Sequence, residues 1–152
     1  KVDSIQNARS GALIVIMGDM NDEVQDASLR ETLRVVDAED YLADERLAKH
    51  DAQMLCDLAP HCEENPNVKG TYNFQGTWSK IDHIIISPAL LRTTSPLHCS
   101  HPFCNILAFP FLLEHDETSV PAYFRPRRRY KGNFYNGGIS DHLPLLVEMI
   151  LK

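Results

Sequence analysis

No apolar run in this 152-residue sequence approaches the ~20 residues that a membrane-spanning helix needs. A basic excess is missing too. The formal net charge of -6 argues against a protein that coats nucleic acid by bulk electrostatics. It leaves room for an enzyme acting on phosphates, because carboxylates that hold a divalent cation carry negative charge themselves. Cysteine is sparse: Cys56, Cys62, Cys99 and Cys104 do not make a disulfide scaffold in a chain of this size. His98, Cys99, His101 and Cys104 cluster closely enough to raise the question of zinc. Their spacing matches no usual finger pattern, and ordinary thiols are expected. Lys1–Asn7 has no apolar core like that of a signal peptide, and the localisation stays unknown. Internal repeats, low-complexity segments and domain linkers are absent as well.

What is present describes a folded domain. An apolar fraction of 43% with 24% charged residues is that of a soluble globular protein and excludes disorder as the main state. The length fits one domain over residues 1–152. Ala12–Met17 is a continuous apolar run, β-branched in its middle, and reads as a strand buried on both faces. Ser28–Val36 places Leu29, Leu33 and Val36 on one helical face, with Glu31 three residues after Ser28 as in a capping box. A second helical stretch is expected from Asp40 to Leu58, stopped by Pro60. Glu63–Gly70 reads as a polar loop. Thr71–Gly76 and Lys80–Ser87 predict two strands joined by a tight turn near Thr77-Trp78, with Pro88 ending the second. A further strand stops at about Phe109, before Pro110. Glu114–Gly138, rich in Pro, Gly, Arg and Tyr, reads as one long loop, and Leu145–Leu151 as the closing strand. Strands interleaved with helices give an α/β or α+β class.

Three polar clusters sit beside apolar strands, where catalytic groups can be held rigidly and still face a cleft. Gly18-Asp19-Met20-Asn21 offers a carboxylate and a carboxamide two residues apart, pointing the same way in extended chain. One can take a proton from water or hold a cation; the other can donate to a phosphoryl oxygen. Ile81-Asp82-His83 puts a carboxylate into an apolar strand, where burial is costly without a partner. Gly137-Gly138-Ile139-Ser140-Asp141-His142-Leu143-Pro144 sets a metal-ligand type and a general acid/base on consecutive residues, behind glycines that allow close backbone approach. Each alone could be an ordinary turn or strand end.

Together, and in this order, they resemble the motifs of the endonuclease/exonuclease/phosphatase superfamily, the DNase I-like metallophosphoesterases. Gly70–Trp78 also resembles bacterial members, and the likeness runs from about residue 10 to the end. The resemblance implies half of a four-layer α/β sandwich: a mixed, mostly antiparallel β-sheet with helices on one face. It implies a Mg²⁺- or Mn²⁺-dependent phosphoesterase. Asp19 would orient or deprotonate the attacking water and Asn21 would bind a phosphoryl oxygen. Asp141 would lie on the metal or its water shell. His142 would contact the phosphate, with Asp82 fixing its orientation.

The resemblance further calls for an N-terminal half with an Asn and a metal-anchoring Glu. Nothing before Ala12 fits either residue. The chain is therefore expected to be the C-terminal portion of such a domain, weak or inactive alone. The missing half is one expected partner. An uncovered apolar sheet face would favour a homodimer. Five basic residues fall within seven positions at Arg125–Lys131. Arg127, Arg128 and Arg129 are candidates for a substrate-phosphate clamp, against a solvated loop paired with Glu114–Glu117. Trp78 is a candidate stacking residue, with core packing as the competing reading. The function expected is hydrolysis of a phosphate ester, preferably a phosphodiester of a nucleic acid or phosphorylated small molecule, by activated water. The alternative is a non-catalytic binding module that keeps the fold.

Overall fold

A computed structural model describes residues 1–9, 11–48, 54–63, 65–117 and 121–152 of the chain. Its helices are short: α1 (Val2–Ala8), α2 (Ala38–Ala43) and α3 (Glu45–Ala48). Strands β1 (Val15–Asp19), β2 (Val35–Asp37), β3 (Leu55–Asp57) and β4 (Ala59–His61) lie in the first part. Then follow β5 (Tyr72–Phe74), β6 (Thr77–Ser79), β7 (Asp82–Ile86), β8 (Leu97–Cys99) and β9 (Phe103–Ile106). The last part holds β10 (Leu113–Asp116), β11 (Tyr123–Pro126), β12 (Tyr130–Lys131) and β13 (Phe134–Tyr135). It closes with β14 (Leu145–Leu146) and β15 (Met149–Leu151). The class is mixed α+β with mostly antiparallel pairing, as the sequence predicts; β2 with β3 is a parallel pair.

The chain divides into two compact units. The first comprises Lys1–Ala59, Asp82–Cys104 and Val147–Lys152. Its sheet runs β1-β7-β3-β2, with β7 antiparallel to both of its neighbours. Flanked on either side, Ile84, Ile85 and Ile86 of β7 are buried. Leu29, Val35, Leu55 and Ile85 form a core on which Val2, Ile16, Met20, Val24 and Leu33 pack. Each such fully buried side chain contributes roughly 1.5–3 kcal/mol over exposure. Strand β1, at the sheet edge, departs from the expectation of burial on both faces. Ile14 and Ile16 are half-buried, whereas Leu13, Val15 and Met17 are exposed, Met17 by 68%. The pleat sends alternate residues to opposite faces, and the described residues cover only one of them.

Two predicted helices are also corrected. Ser28–Thr32 is a single π-helical turn without a side-chain cap, and the Ser28 hydroxyl donates to the Asp22 carboxylate instead. Arg34 takes a left-handed backbone (φ 56), which turns the chain out of the helix and into β2. The stretch Asp40–Leu58 contains the end of α2, then α3, before its residues 49–53, which lie outside the described residues. It finishes as β3, where Leu55 and Cys56 pair with Val35 and Val36. Asp44 breaks the helical run: its backbone is extended, and its carboxylate accepts the Arg46 N–H. Pro60 lies inside β4 rather than stopping a helix.

The second unit comprises Pro60–Ile81 and Asn105–Leu146. Val68, Ile106, Ala108 and Leu143 form its core. The predicted turn at Thr77-Trp78 is displaced: Thr77–Ser79 is a strand, and β5 and β6 join through Gln75 (φ 50) and Gly76 (φ 87). Consecutive positive φ values belong to the tight turns whose twist matches a hairpin. The stretch read as one long loop holds two hairpins, β10–β11 and β12–β13, although residues 118–120 of it lie outside the described residues. The expected closing strand is split at Val147-Glu148, with β14 paired to β9 and β15 to β8.

Candidate active site

In the first unit, the β1–β7 register sets Asp19 opposite Asp82, where β1 ends and β7 begins. A carboxylate oxygen of each lies within 4.8 Å of the other. Asp19 is exposed and Asp82 half-buried. Two negative charges this close favour a shared cation, and hard oxygen donors are what Mg²⁺ or Mn²⁺ takes; the pair fits such an ion. The Asn21 N–H donates to Asp19 Oδ1 at 2.9 Å, closing a small turn, and Asn21 adopts φ 54, which asparagine tolerates better than most residues. The two predicted residues of Gly18-Asp19-Met20-Asn21 are thus locked to each other.

His83 is buried directly behind this turn. Its Nδ1 meets Asp57 Oδ2 at 2.8 Å and its Nε2 meets the Asp22 carbonyl oxygen at 2.8 Å. A carbonyl only accepts, so Nε2 carries a proton; the carboxylate calls for one on Nδ1 as well. Both contacts thus favour the protonated ring. Burial pushes its pKa down, but the Asp57 hydrogen bond and charge, the Asp22 carbonyl and the Asp82 charge outweigh that and leave it raised. Sequence reasoning gave His83 no role and passed over Asp57. The available signal was two polar residues in succession on an apolar strand, because adjacent residues face opposite sides and one of them has to be inside.

In the second unit, Leu143 fixes the Ser-Asp-His segment by burial in the core and by donating its N–H to the Thr71 carbonyl at 2.8 Å. Tyr72 and His142 pair as an isolated antiparallel bridge, and their rings lie 4.8 Å apart at 35°. Ser140 Oγ accepts the His142 N–H at 3.0 Å. Upstream, Gly138 is buried against the chain at Arg127, leaving no room for a side chain. The close approach expected of the glycines is thus present at Gly138.

That contact joins the basic run to the Ser-Asp-His segment, and the run divides by role. Arg125 binds Glu114 and Asp116, each at 2.7 Å, and Lys131 binds Glu114 at 3.1 Å. Asn136 also donates to Glu114. Burial pushes the Glu114 pKa up, but the donors Asn136, Arg125 and Lys131 outweigh it and hold it below the usual carboxylate value. Arg127 donates to the Asn136 carbonyl. Arg128 lies 5.7 Å over the Tyr72 ring and donates to its hydroxyl, and Arg129 lies 5.9 Å from the Tyr130 ring centre. Among the described residues, Arg127, Arg128 and Arg129 form no carboxylate ion pair. Arg128 and Arg129 line a cleft of about 330 Å³ with Tyr130, Ile139, Ser140 and Asp141. Arg125 and Lys131 pair with the acidic stretch as the competing reading has it, but from strands β11 and β12 and not from a solvated loop. Trp78 packs partly on the core and lines a different cleft with Lys69 and Tyr123. The four cysteines are free thiols.

The sequence profile of the endonuclease/exonuclease/phosphatase family matches residues 1–151, and the chain belongs to that family. Membership points to hydrolysis of the phosphoesterase or nuclease type, in a family whose enzymes typically use divalent metals. No curated protein and no solved structure matches the chain.

Proposed function

We propose, starting from that membership, that this protein hydrolyses phosphate esters, phosphodiesters in preference to monoesters, in a reaction that depends on Mg²⁺ or Mn²⁺. The observation that supports it most is the facing pair of carboxylates, Asp19 and Asp82, at one end of the β1–β7 ladder. Asp141, exposed beside the arginine cleft, would hold the cation, as the family resemblance implies. A bound divalent cation supplies positive charge against the phosphoryl oxygens.

The rest falls to side chains. Water attacks phosphorus, its proton passes to the Asp19 carboxylate, and the P–O ester bond breaks, the departing oxygen taking a proton from solvent water. Asn21 donates to a phosphoryl oxygen, His142 stabilises the charge that builds there, and Asp82 serves as the orienting carboxylate for the histidine. Arg127, Arg128 and Arg129 bind the substrate's phosphate, and Trp78 stacks on a more distant part of the substrate. The chain alone is expected to turn over weakly, since no glutamate in it takes the metal-anchoring place that the resemblance calls for. The exposed Leu13, Val15 and Met17 support association, either as a homodimer or with a matching sheet.

The test is a substrate panel, with and without Mg²⁺, on the longest natural form containing this chain. Chelator-sensitive release from a phosphodiester, lowered about 10²–10⁴-fold by His142→Ala, is expected. Equal release by that variant, or release indifferent to chelator, would refute the reading.

A further inference from the structure

The arginine cleft and the hairpin beside it point to a class of substrate. Tyr130 and Tyr135 stand opposite each other across β12–β13, their rings in edge contact at 5.7 Å. Tyr135 is 69% exposed, Phe134 81% and Ile139 68%. Tyr130 and Tyr135, paired across the hairpin, share one of its faces, whereas Phe134, next in sequence, points to the other. Lys131, within that hairpin, is tied to Glu114, so the rings stand on an anchored element. Beside them, Arg128 and Arg129 reach the cleft without carboxylate partners among the described residues, and their two charges outnumber that of Asp141.

We propose that this surface binds single-stranded nucleic acid, with a backbone phosphate on Arg128 and Arg129 and neighbouring bases stacked on Tyr130 and Tyr135. The proposal rests on the hydrolytic reading above and narrows its substrate. Guanidinium forks match phosphate oxygens, and an aromatic face takes any base. A duplex keeps its base faces stacked inside and could not use the rings. A cleft of about 330 Å³ sits at the small end of ligand pockets and takes a nucleotide-sized group, not a helix. The chain's overall charge of -6 makes such binding local to this face.

Fluorescence anisotropy of a labelled oligothymidylate of about 12 nucleotides, within the usual site-size range, tests it on the purified chain in chelator. Two variants are compared with the parent, Arg129→Gln and the double change Tyr130→Ser with Tyr135→Ser, after circular dichroism confirms that both are folded. Each is expected to weaken binding about tenfold, and Arg129→Gln to flatten the salt dependence by about one counterion. A duplex of the same length should bind more weakly. Unchanged binding by either variant, or a duplex bound as tightly as the single strand, would overturn the proposal. Metal-dependent hydrolysis of bis(p-nitrophenyl) phosphate separates the two claims. Strand binding by the chain, with no metal-dependent hydrolysis by the longest natural form that contains it, refutes the hydrolytic reading and upholds the strand site. Hydrolysis without strand binding does the reverse.

Discussion

Gly138 lies so close to Arg127 that a β-carbon added to it would stand 1.7 Å from the Arg127 carbonyl oxygen and 2.6 Å from that of Arg128. Backbone cannot give way as a side-chain tip can. Gly138→Ala is expected to cost at least about 1–3 kcal/mol, as overpacking does, and to loosen the Ser140–His142 segment. Gly137→Ala, which meets the movable Arg127 guanidinium but holds φ 75, should cost about 1–2 kcal/mol from backbone strain. Urea unfolding of both variants measures the order. If Gly138→Ala proves as stable as the parent, the contact does not have the importance given to it.

The His83–Asp57 pair sets a pH window. The folded pKa of His83 is raised above the ordinary histidine value, so its contribution is complete below about 6.5 and is lost as pH rises through the folded value. Thermal unfolding from pH 6 to pH 9 should therefore show declining stability from this group. His83→Leu should lower stability by about 3–5 kcal/mol, because it strands the Asp57 carboxylate, whose Oδ1 already lacks a partner among the described residues. That variant should also lose this group's share of the pH dependence; a slope identical to the parent's would refute the preference for a protonated ring.

Glu114 acts with the opposite sign. Its folded pKa is lowered, so its stabilisation is present above the ordinary glutamate value and is lost as pH falls through the folded one. Glu114→Gln is expected to cost about 1–3 kcal/mol near neutral pH by weakening its links to Arg125, Lys131 and Asn136. Amide exchange should quicken in β10–β11 and β12–β13 together. Faster exchange confined to one hairpin would deny Glu114 its bridging role.

The open face of β1 should make the protein associate. Light scattering of the chain is expected to report a dimer or larger species, and Val15→Glu with Met17→Lys should shift it toward monomer. A parent that stays monomeric at high concentration would count against this.

The family and the α+β class were legible because both rest on local order: apolar strands alternating with polar turns, and a strand running into Gly-Asp. What escaped was non-local or conformational. Ala12–Met17 is apolar at every position, so its alternating burial depends on what covers each face, which no single stretch encodes. The Val35-Val36 pair was counted into a helix because Leu29 and Leu33 do keep helical spacing. The left-handed Arg34 that diverts them has no compositional mark. The hairpins after Leu113 hid behind loop-like composition, since carboxylates and cations distant in sequence hold them. Asp57 was unreadable until β3 was seen beside β7.

Because the first unit draws on three separate stretches of chain, the order of synthesis and the order of completion are reversed. Its β1 is made early, but β8 cannot find its partner until β15 leaves the ribosome, after every strand of the second unit has emerged. Until β7 is made, the Leu13–Met17 run waits without its sheet neighbour. A nascent chain arrested before residue 82 would present that run to chaperones, so slow codons shortly after β1 should lower the yield of folded protein more than slow codons after β7.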